Sequence, residues 1–217
     1  KTKWSDPENL LIFGVGSLVG TSPGGCRVSV DTKSVFNNGK GSANVGGHFG
    51  AELKYAGFDH VVVTGKAEKP VYLWISDGTA EIRDAKGLWG KTTYETEETL
   101  HRELGDKRIR VACIGPAGEK LVKGSIILVD RAKAAGGSGV GCVMGSKNLK
   151  ALAVRGHGSI RIAEPQAFLG AVDDAQQKVN DSPTSKRIQQ ETLAGVFYSD
   201  ERGPSWDLLF VTRNGQD

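Results

Sequence analysis

Two glycine-rich runs hold the residues best placed for chemistry in this chain: Gly46-Gly47-His48-Phe49-Gly50-Ala51-Glu52-Leu53-Lys54 and Gly136-Gly137-Ser138-Gly139-Val140-Gly141-Cys142-Val143-Met144. Glycine leaves the backbone bare, so a ligand can approach the main-chain N–H groups closely. A helix that starts there adds unpaired donors and positive dipole potential. Each run is therefore a candidate seat for an anion or a phosphate, and two seats in one chain suggest a duplicated scaffold.

The flanking elements repeat in the same order. Each run follows a polar loop, opens a short helix and leads to a β-branched stretch closed by glycine, Val61-Val62-Val63-Thr64-Gly65 in one case and Leu152-Ala153-Val154-Arg155-Gly156 in the other. Upstream, Leu10-Leu11-Ile12-Phe13 and Arg27-Val28-Ser29-Val30-Asp31 read as strands, as do Val111-Ala112-Cys113-Ile114 and Ser125-Ile126-Ile127-Leu128-Val129. The repeat is approximate, because the spacing from glycine turn to Gly-Gly is longer in the first copy (Gly14 to Gly46) than in the second (Gly115 to Gly136). The polar segment 32–45 is either a small hairpin or a binding loop. Between the copies, residues 71–75 and 80–83 flank Ser76-Asp77-Gly78-Thr79, a hairpin signal. Thr92 and Glu95 form a capping box for a helix stopped by Gly105. Gly115-Pro116-Ala117-Gly118 reads as a structural turn, since no Lys-Ser/Thr pair follows to make a phosphate loop. From Pro165, Phe168, Val172, Ala175 and Val179 share a helical face; a weaker helix is expected over 185–193.

Composition limits the function classes. The 217 residues can bury a sizeable core, and the 30 glycines, roughly twice the usual share, cluster at turns without a collagen-like period. A formal net charge of +3, with Lys and Arg scattered among acidic residues, argues against a nucleic-acid surface. No stretch approaches the roughly 20 apolar residues of a membrane span. Cys26, Cys113 and Cys142 form no C-x-x-C pair and cannot ligate a metal cluster alone, and a reducing compartment is the default. His48 could approach a bound group or simply pack; His60, His101 and His157 have no spaced partners. The chain opens at Lys1 and stops in a polar stretch at Asp217, so both ends read as cut.

Several separated blocks resemble one family. Pro7-Glu8-Asn9-Leu10-Leu11-Ile12-Phe13, the run from Asn44 to Asp59, Gly65-Lys66-Ala67, the run from Ala112 to Glu119, and Val143-Met144-Gly145-Ser146-Lys147-Asn148-Leu149-Lys150-Ala151 are similar to the N-terminal domain of tungsten- or molybdenum-containing aldehyde ferredoxin oxidoreductases. Thr212-Arg213-Asn214 fits the point where that domain hands over to the next. The resemblance implies an α+β fold with two related β-sheet-rich halves and short helices. Residues 1–156 would be a pterin-binding base, with halves of about 8–105 and 106–156, and residues 157–217 a helical exit segment. On the base would sit a tungsten or molybdenum bis-pterin (molybdopterin-type) cofactor, one pterin over each half.

The resemblance also implies roles for residues. Arg27, Asn44, Gly46, Gly47, Lys133, Ala134 and Gly136 would bind the cofactor, and the carbonyls of Asn44 and Ala134 would hold a magnesium ion shared by the pterin phosphates. Arg27 offers a fork of donors for phosphate or pterin; the structural alternative is a surface arginine with a carboxylate partner. The family usually has arginines where this chain has Lys133 and Gly137, so its second seat is less basic, and Lys147 or a residue from a following domain is a candidate to compensate. The implied activity of the intact protein is oxidation of aldehydes to carboxylates, with ferredoxin or an electron-transfer subunit as acceptor. A 4Fe-4S iron-sulfur cluster would take its ligands from following domains, so this chain alone would carry no catalytic residues. A same-family tungsten aromatic acyl-CoA reductase and a non-redox pterin- or phosphate-binding module are the alternatives. A cytoplasmic location, no membrane or nucleic-acid partner, and a homo-oligomer complete the expectations.

Overall fold

In β-strands with one covered face, every second residue is buried. The N-terminal strands follow that rule, β1 (Leu11–Val15) reading buried, half-buried, buried along its length. In a computed structural model, which describes residues 2–22 and 24–186, β1 joins β2 (Val28–Lys33), β3 (Lys40–Val45) and β4 (His60–Val63) in an antiparallel sheet of order β3-β2-β1-β4. Helix α1 (Phe49–Tyr55) links β3 to β4. The segment left open between hairpin and loop is the β2–β3 hairpin, turned over Asn38 at φ 57°.

The second sheet contains β5 (Val71–Ser76), β6 (Thr79–Asp84), β7 (Arg110–Cys113), β8 (Ile127–Val129), β9 (Lys133–Ala135) and β10 (Leu149–Arg155), in the order β6-β5-β10-β7-β8-β9. Between them lie α2 (Thr93–Leu104), α3 (Pro116–Glu119) and α4 (Val140–Ser146). Thr92 and Glu95 form the expected capping box, and Gly105 takes the left-handed conformation that ends α2. Gly115-Pro116-Ala117-Gly118 is more than a turn: Gly115 caps α3, with Pro116 in its first turn, where a missing N–H costs nothing. β9 lies in what reads from sequence as a polar loop.

The pairing registers make the duplication explicit. Sheet order β3-β2-β1-β4 maps onto β9-β8-β7-β10, all antiparallel, with α1 and α4 at the same point. Val28↔Val45 corresponds to Ile127↔Ala135, and Ser29↔Asn44 to Leu128↔Ala134. Phe13↔Val61 corresponds to Ala112↔Leu152, which makes Gly65 the counterpart of Gly156. The β5–β6 hairpin and α2 stand between the repeats in sequence. Halves of 8–105 and 106–156 would assign that hairpin to the first repeat, but it extends the second sheet because β5 pairs in parallel with β10. That pairing spans a sequence distance no local pattern reports.

The main core lies beneath both repeats: Phe13, Val30, Phe49 and Leu53 share one cluster with Ile114, Val143, Met144 and Leu152. The other face of the second sheet is covered by Leu88 and Leu100 against Tyr72, Val111 and Ala153. Being covered on both faces, β10 is buried at every residue but Arg155, unlike the alternating β1. The described residues from 162 onward belong to a separate unit, which begins five residues later than the expected 156/157 boundary. Its described part is α5 (Pro165–Asp181), none of whose residues is buried, followed by residues 182–186. The weaker helix expected over 185–193 and the tail to Asp217 lie outside the described residues beyond 186. Among the described residues no helix is long and apolar enough to cross a membrane.

Candidate functional site

Each glycine pair follows the last residue pair of its hairpin, so strand pairing alone places both loops equivalently. The second glycine of each pair needs the left-handed backbone, Gly47 at φ +105° and Gly137 at φ +100°. Two residues into each helix a further glycine presses on the strand below. A Cβ on Gly50 would stand 2.8 Å from a Val28 methyl, and one on Gly141 would stand 2.4 Å from the Ile126 carbonyl oxygen.

The two edge strands, β3 and β9, lie against each other and bring the loops together. Ser138 Oγ bonds both the N–H and the carbonyl of Ser42, each at 3.1 Å, and a Cβ on Gly47 would lie 3.5 Å from Cγ of Lys133. Asn44 and Ala134 are exposed at identical register positions on these strands. Arg27, also exposed, overlooks Gly46: a Cβ there would sit 4.0 Å from its guanidinium and 3.8 Å from the Cys26 sulfur. Arg27, Asn44, Gly46, Gly47, Lys133, Ala134 and Gly136 thus belong to one surface, along the seam between the repeats.

Three features differ from the sequence reading. The helix starts are weak anion seats: α1 and α4 have seven residues each, and the Asp130 carboxylate accepts the His48 N–H at 2.6 Å. At the second helix, the Gly141 N–H donates to Ser125 O at 3.3 Å. Lys133, a residue of the second repeat, stands beside Gly47 of the first. Lys147 cannot make up for the missing cations. It is 3% exposed, and its ammonium donates to the carbonyls of Pro7 and Gly65, both at 3.0 Å; burial holds its pKa below the usual lysine range.

Sequence reasoning missed Asp130, and it missed that Ile126 occupies the register position of Arg27. The signal for both was the hairpin register, legible only once β9 is recognised as a strand. Other candidates fall away. Burial pushes the Cys113 thiol up to about 12 and raises that of Cys142, whose S–H donates to Leu121 O at 3.3 Å, so neither is a thiolate nucleophile near neutral pH. No group of three or more His, Cys, Asp or Glu side chains able to hold a metal occurs among the described residues.

Comparison with known proteins agrees with this architecture. Residues 1–156 match the family model described as aldehyde ferredoxin oxidoreductase, N-terminal domain. The tungsten-containing aldehyde ferredoxin oxidoreductase of Pyrococcus furiosus is 52% identical over 180 residues, covering 82% of this chain and 30% of the relative. That of Pyrococcus abyssi is 48% identical over 180 residues with the same coverage of both chains. Among solved structures, the active site complex BamBC of benzoyl coenzyme A reductase, in complex with 1,5-dienoyl-CoA, superposes with a TM-score of 0.81 at 37% identity. That match covers 88% of this chain and 29% of the other. The chain thus spans about 30% of the length of these relatives. With a matching family model over residues 1–156 and relatives near 50% identity, this chain belongs to the aldehyde ferredoxin oxidoreductase family, through that family's N-terminal domain.

Proposed function

We propose that this chain is the base on which a tungsten or molybdenum bis-pterin cofactor sits in a larger oxidoreductase, one pterin over each repeat. The observation that carries the reading is the shared register of Asn44 and Ala134, each followed by a glycine pair whose second member lies near φ +100°. Two like ligand halves call for two like backbone seats, and the seam between the repeats offers them. Arg27 and Lys133 would meet the phosphates of the pterin on the first repeat, with Gly46 and Gly47 giving room for close approach. On the second repeat Gly136 and the main chain around Ala134 would hold the other pterin, because Ile126 takes the place of an arginine. The Asp130 carboxylate disfavours a bare phosphate at the start of α1 and favours a cation nearby. That setting suits a magnesium ion held by the carbonyls of Asn44 and Ala134 and by phosphate oxygens.

When bound, the metal cofactor supplies the redox chemistry, and this chain's residues bind and orient it. In the intact enzyme the reading is oxidation of an aldehyde to a carboxylate, with electrons leaving through an iron–sulfur cluster to ferredoxin or an electron-transfer subunit. Following domains would provide the cluster ligands and the substrate pocket, and the assembly would be cytoplasmic and open to homo-oligomer formation. The likeness to the benzoyl coenzyme A reductase complex favours aromatic acyl-CoA reduction as the second reading. Identity of 52% to the aldehyde enzyme against 37% to that complex puts aldehydes first. Elemental and pterin analysis of the intact protein, with assays on aldehydes and on an aromatic acyl-CoA, is the test. Tungsten or molybdenum with pterin, iron and aldehyde-dependent ferredoxin reduction is expected. A metal-free protein that still binds a phosphorylated ligand would overturn the reading in favour of a non-redox module.

A further inference from the structure

The β8–β9 hairpin carries backbone strain that a simple chain reversal does not need. Its turn, Asp130-Arg131-Ala132, follows directly on the pair Val129↔Lys133. In the first repeat the strands run on past the equivalent pair, Val30↔Ala43, through Asp31↔Ser42 to Lys33↔Lys40. Asp130 at φ 48° and Arg131 at φ 59° both take the left-handed conformation, which glycine or asparagine adopts at a hairpin turn with less strain. Strain of this kind persists only where other contacts hold it, and it points to a use for the residues that bear it.

Both strained residues employ their side chains, each on a different part of the molecule. The Asp130 carboxylate accepts the His48 N–H at 2.6 Å, across 82 positions of sequence. His48 stands at the N-cap of α1, where its own side chain makes no capping bond. Arg131 Nε donates to Oε1 of Glu97 on α2 at 3.1 Å, and Glu97 is only 8% exposed. The Asp130 N–H donates to the Val111 carbonyl at 3.1 Å, which ties the turn to β7. A turn fixed on β7 and α2 therefore bears on the Gly47-His48 peptide of the other repeat.

We propose that Asp130 is a positioning residue of the first seat. From the second repeat it holds the Gly47-His48 peptide, and with it the left-handed Gly47, in the orientation that presents the bare backbone of the loop to a phosphorylated ligand. Arg131 anchors the turn to α2. The first seat is then built by both repeats, its glycines coming from one and its clamp from the other. This rests on the reading that the loop seats the cofactor.

The test compares the intact enzyme with its Asp130→Gly and Asp130→Asn variants, by hydrogen exchange of the His48 amide and by metal and pterin content per polypeptide. Glycine relieves the strain at φ 48° but removes the acceptor, whereas asparagine tolerates the left-handed backbone and keeps an oxygen in place. Asp130→Gly is expected to speed His48 exchange about tenfold, with the amides of β10 unchanged, and to lower cofactor content several-fold. Asp130→Asn is expected to keep both readings close to those of the unmodified enzyme. Unchanged His48 exchange in Asp130→Gly overturns the proposal, and so do equal losses in the two variants, which would assign the effect to charge alone. Fast His48 exchange in the unmodified enzyme overturns it without any variant. Full cofactor content in Asp130→Gly, despite faster exchange, overturns the clamp and leaves the cofactor reading standing. A metal-free protein overturns the cofactor reading, and the exchange order then decides the clamp.

Discussion

At the first repeat's loop, Arg27 and Asn44 flank Gly46, while Asp130 and Lys133 reach in from the second repeat. At the second repeat's loop, the same register positions hold Ile126 and Ala134, and the helix starts one residue later, at Val140 instead of Phe49. What the two loops share is main chain: strand register, a glycine pair and a left-handed second glycine. Their side chains have diverged in charge. Duplication has thus kept the groups that any phosphate or cation can use, and has concentrated cations and carboxylate on one side. The repeats also brace each other. Glu52 of α1 accepts the Gly156 N–H at 2.9 Å, and Lys147, just after α4, donates to Gly65, the counterpart of Gly156. Two buried charges of opposite sign do the same job across the seam.

The comparison can be broken first at the helix-to-strand contacts. Gly141→Ala drives a methyl into the Ile126 main chain, whereas Gly50→Ala meets side-chain methyls alone, of Val28 at 2.8 Å, Val15 at 3.2 Å and Val19 at 3.3 Å, which can shift. Overpacking against backbone is expected to cost about 3 kcal/mol at Gly141 and about 1 kcal/mol at Gly50, read from denaturant unfolding. Equal costs would mean that the helices do not press on their strands differently.

The left-handed glycines sharpen the comparison next. Gly47→Ala suffers backbone strain and a contact of 2.8 Å with the Asp130 carboxylate, whereas Gly137→Ala meets nothing within 4 Å. Strain alone, about 1 kcal/mol, is expected at Gly137, and about 2 kcal/mol at Gly47. The order of the two thermal midpoints checks this.

The smallest effect concerns pH, at Asp106, which joins the brace through Arg155, whose guanidinium donates to both Asp106 and Glu52. Arg108, bonding both through its backbone N–H and its guanidinium, and Arg155 hold the Asp106 carboxyl well below the usual carboxylate range. A depressed folded-state pKa gives stability that is fully present above the unfolded value of about 3.9 and is lost as pH falls through the folded value. Asp106→Asn should therefore lower stability modestly at pH 7 and flatten the loss below about pH 4. An unchanged acid limb in melting curves would remove Asp106 from the brace.

Local chemistry made much of this fold readable from sequence. The Thr92–Glu95 capping box, the Gly105 stop and the turn at residues 76–79 each involve neighbours a few residues apart. The glycine runs revealed the duplication for the same reason. What escaped was long-range. Lys133-Ala134-Ala135 has no β-branched residue and becomes a strand only because β8 pairs with it. The parallel β5–β10 pair moved the hairpin to the second sheet, and the Asp130–His48 bond joins residues 82 positions apart. The residues proposed for the site gather on one surface, but which repeat each lies beside was not legible: Lys133 reads as second-seat and stands beside Gly47 of the first repeat.

The central claim is that both loops seat the cofactor through bare backbone. Its most direct test is the metal and pterin content per polypeptide of the intact enzyme carrying Gly46→Val or, separately, Gly136→Val, with Arg27→Ala alongside. A Cβ at Gly46 would meet only side-chain atoms 3.8 Å or more away, and one at Gly136 only the Ile126 methyl at 3.2 Å, so neither position clashes with main chain at its first side-chain atom. The account predicts loss of cofactor in each glycine variant and a partial loss in Arg27→Ala. Full cofactor content in both glycine variants, with their fold intact, would contradict it.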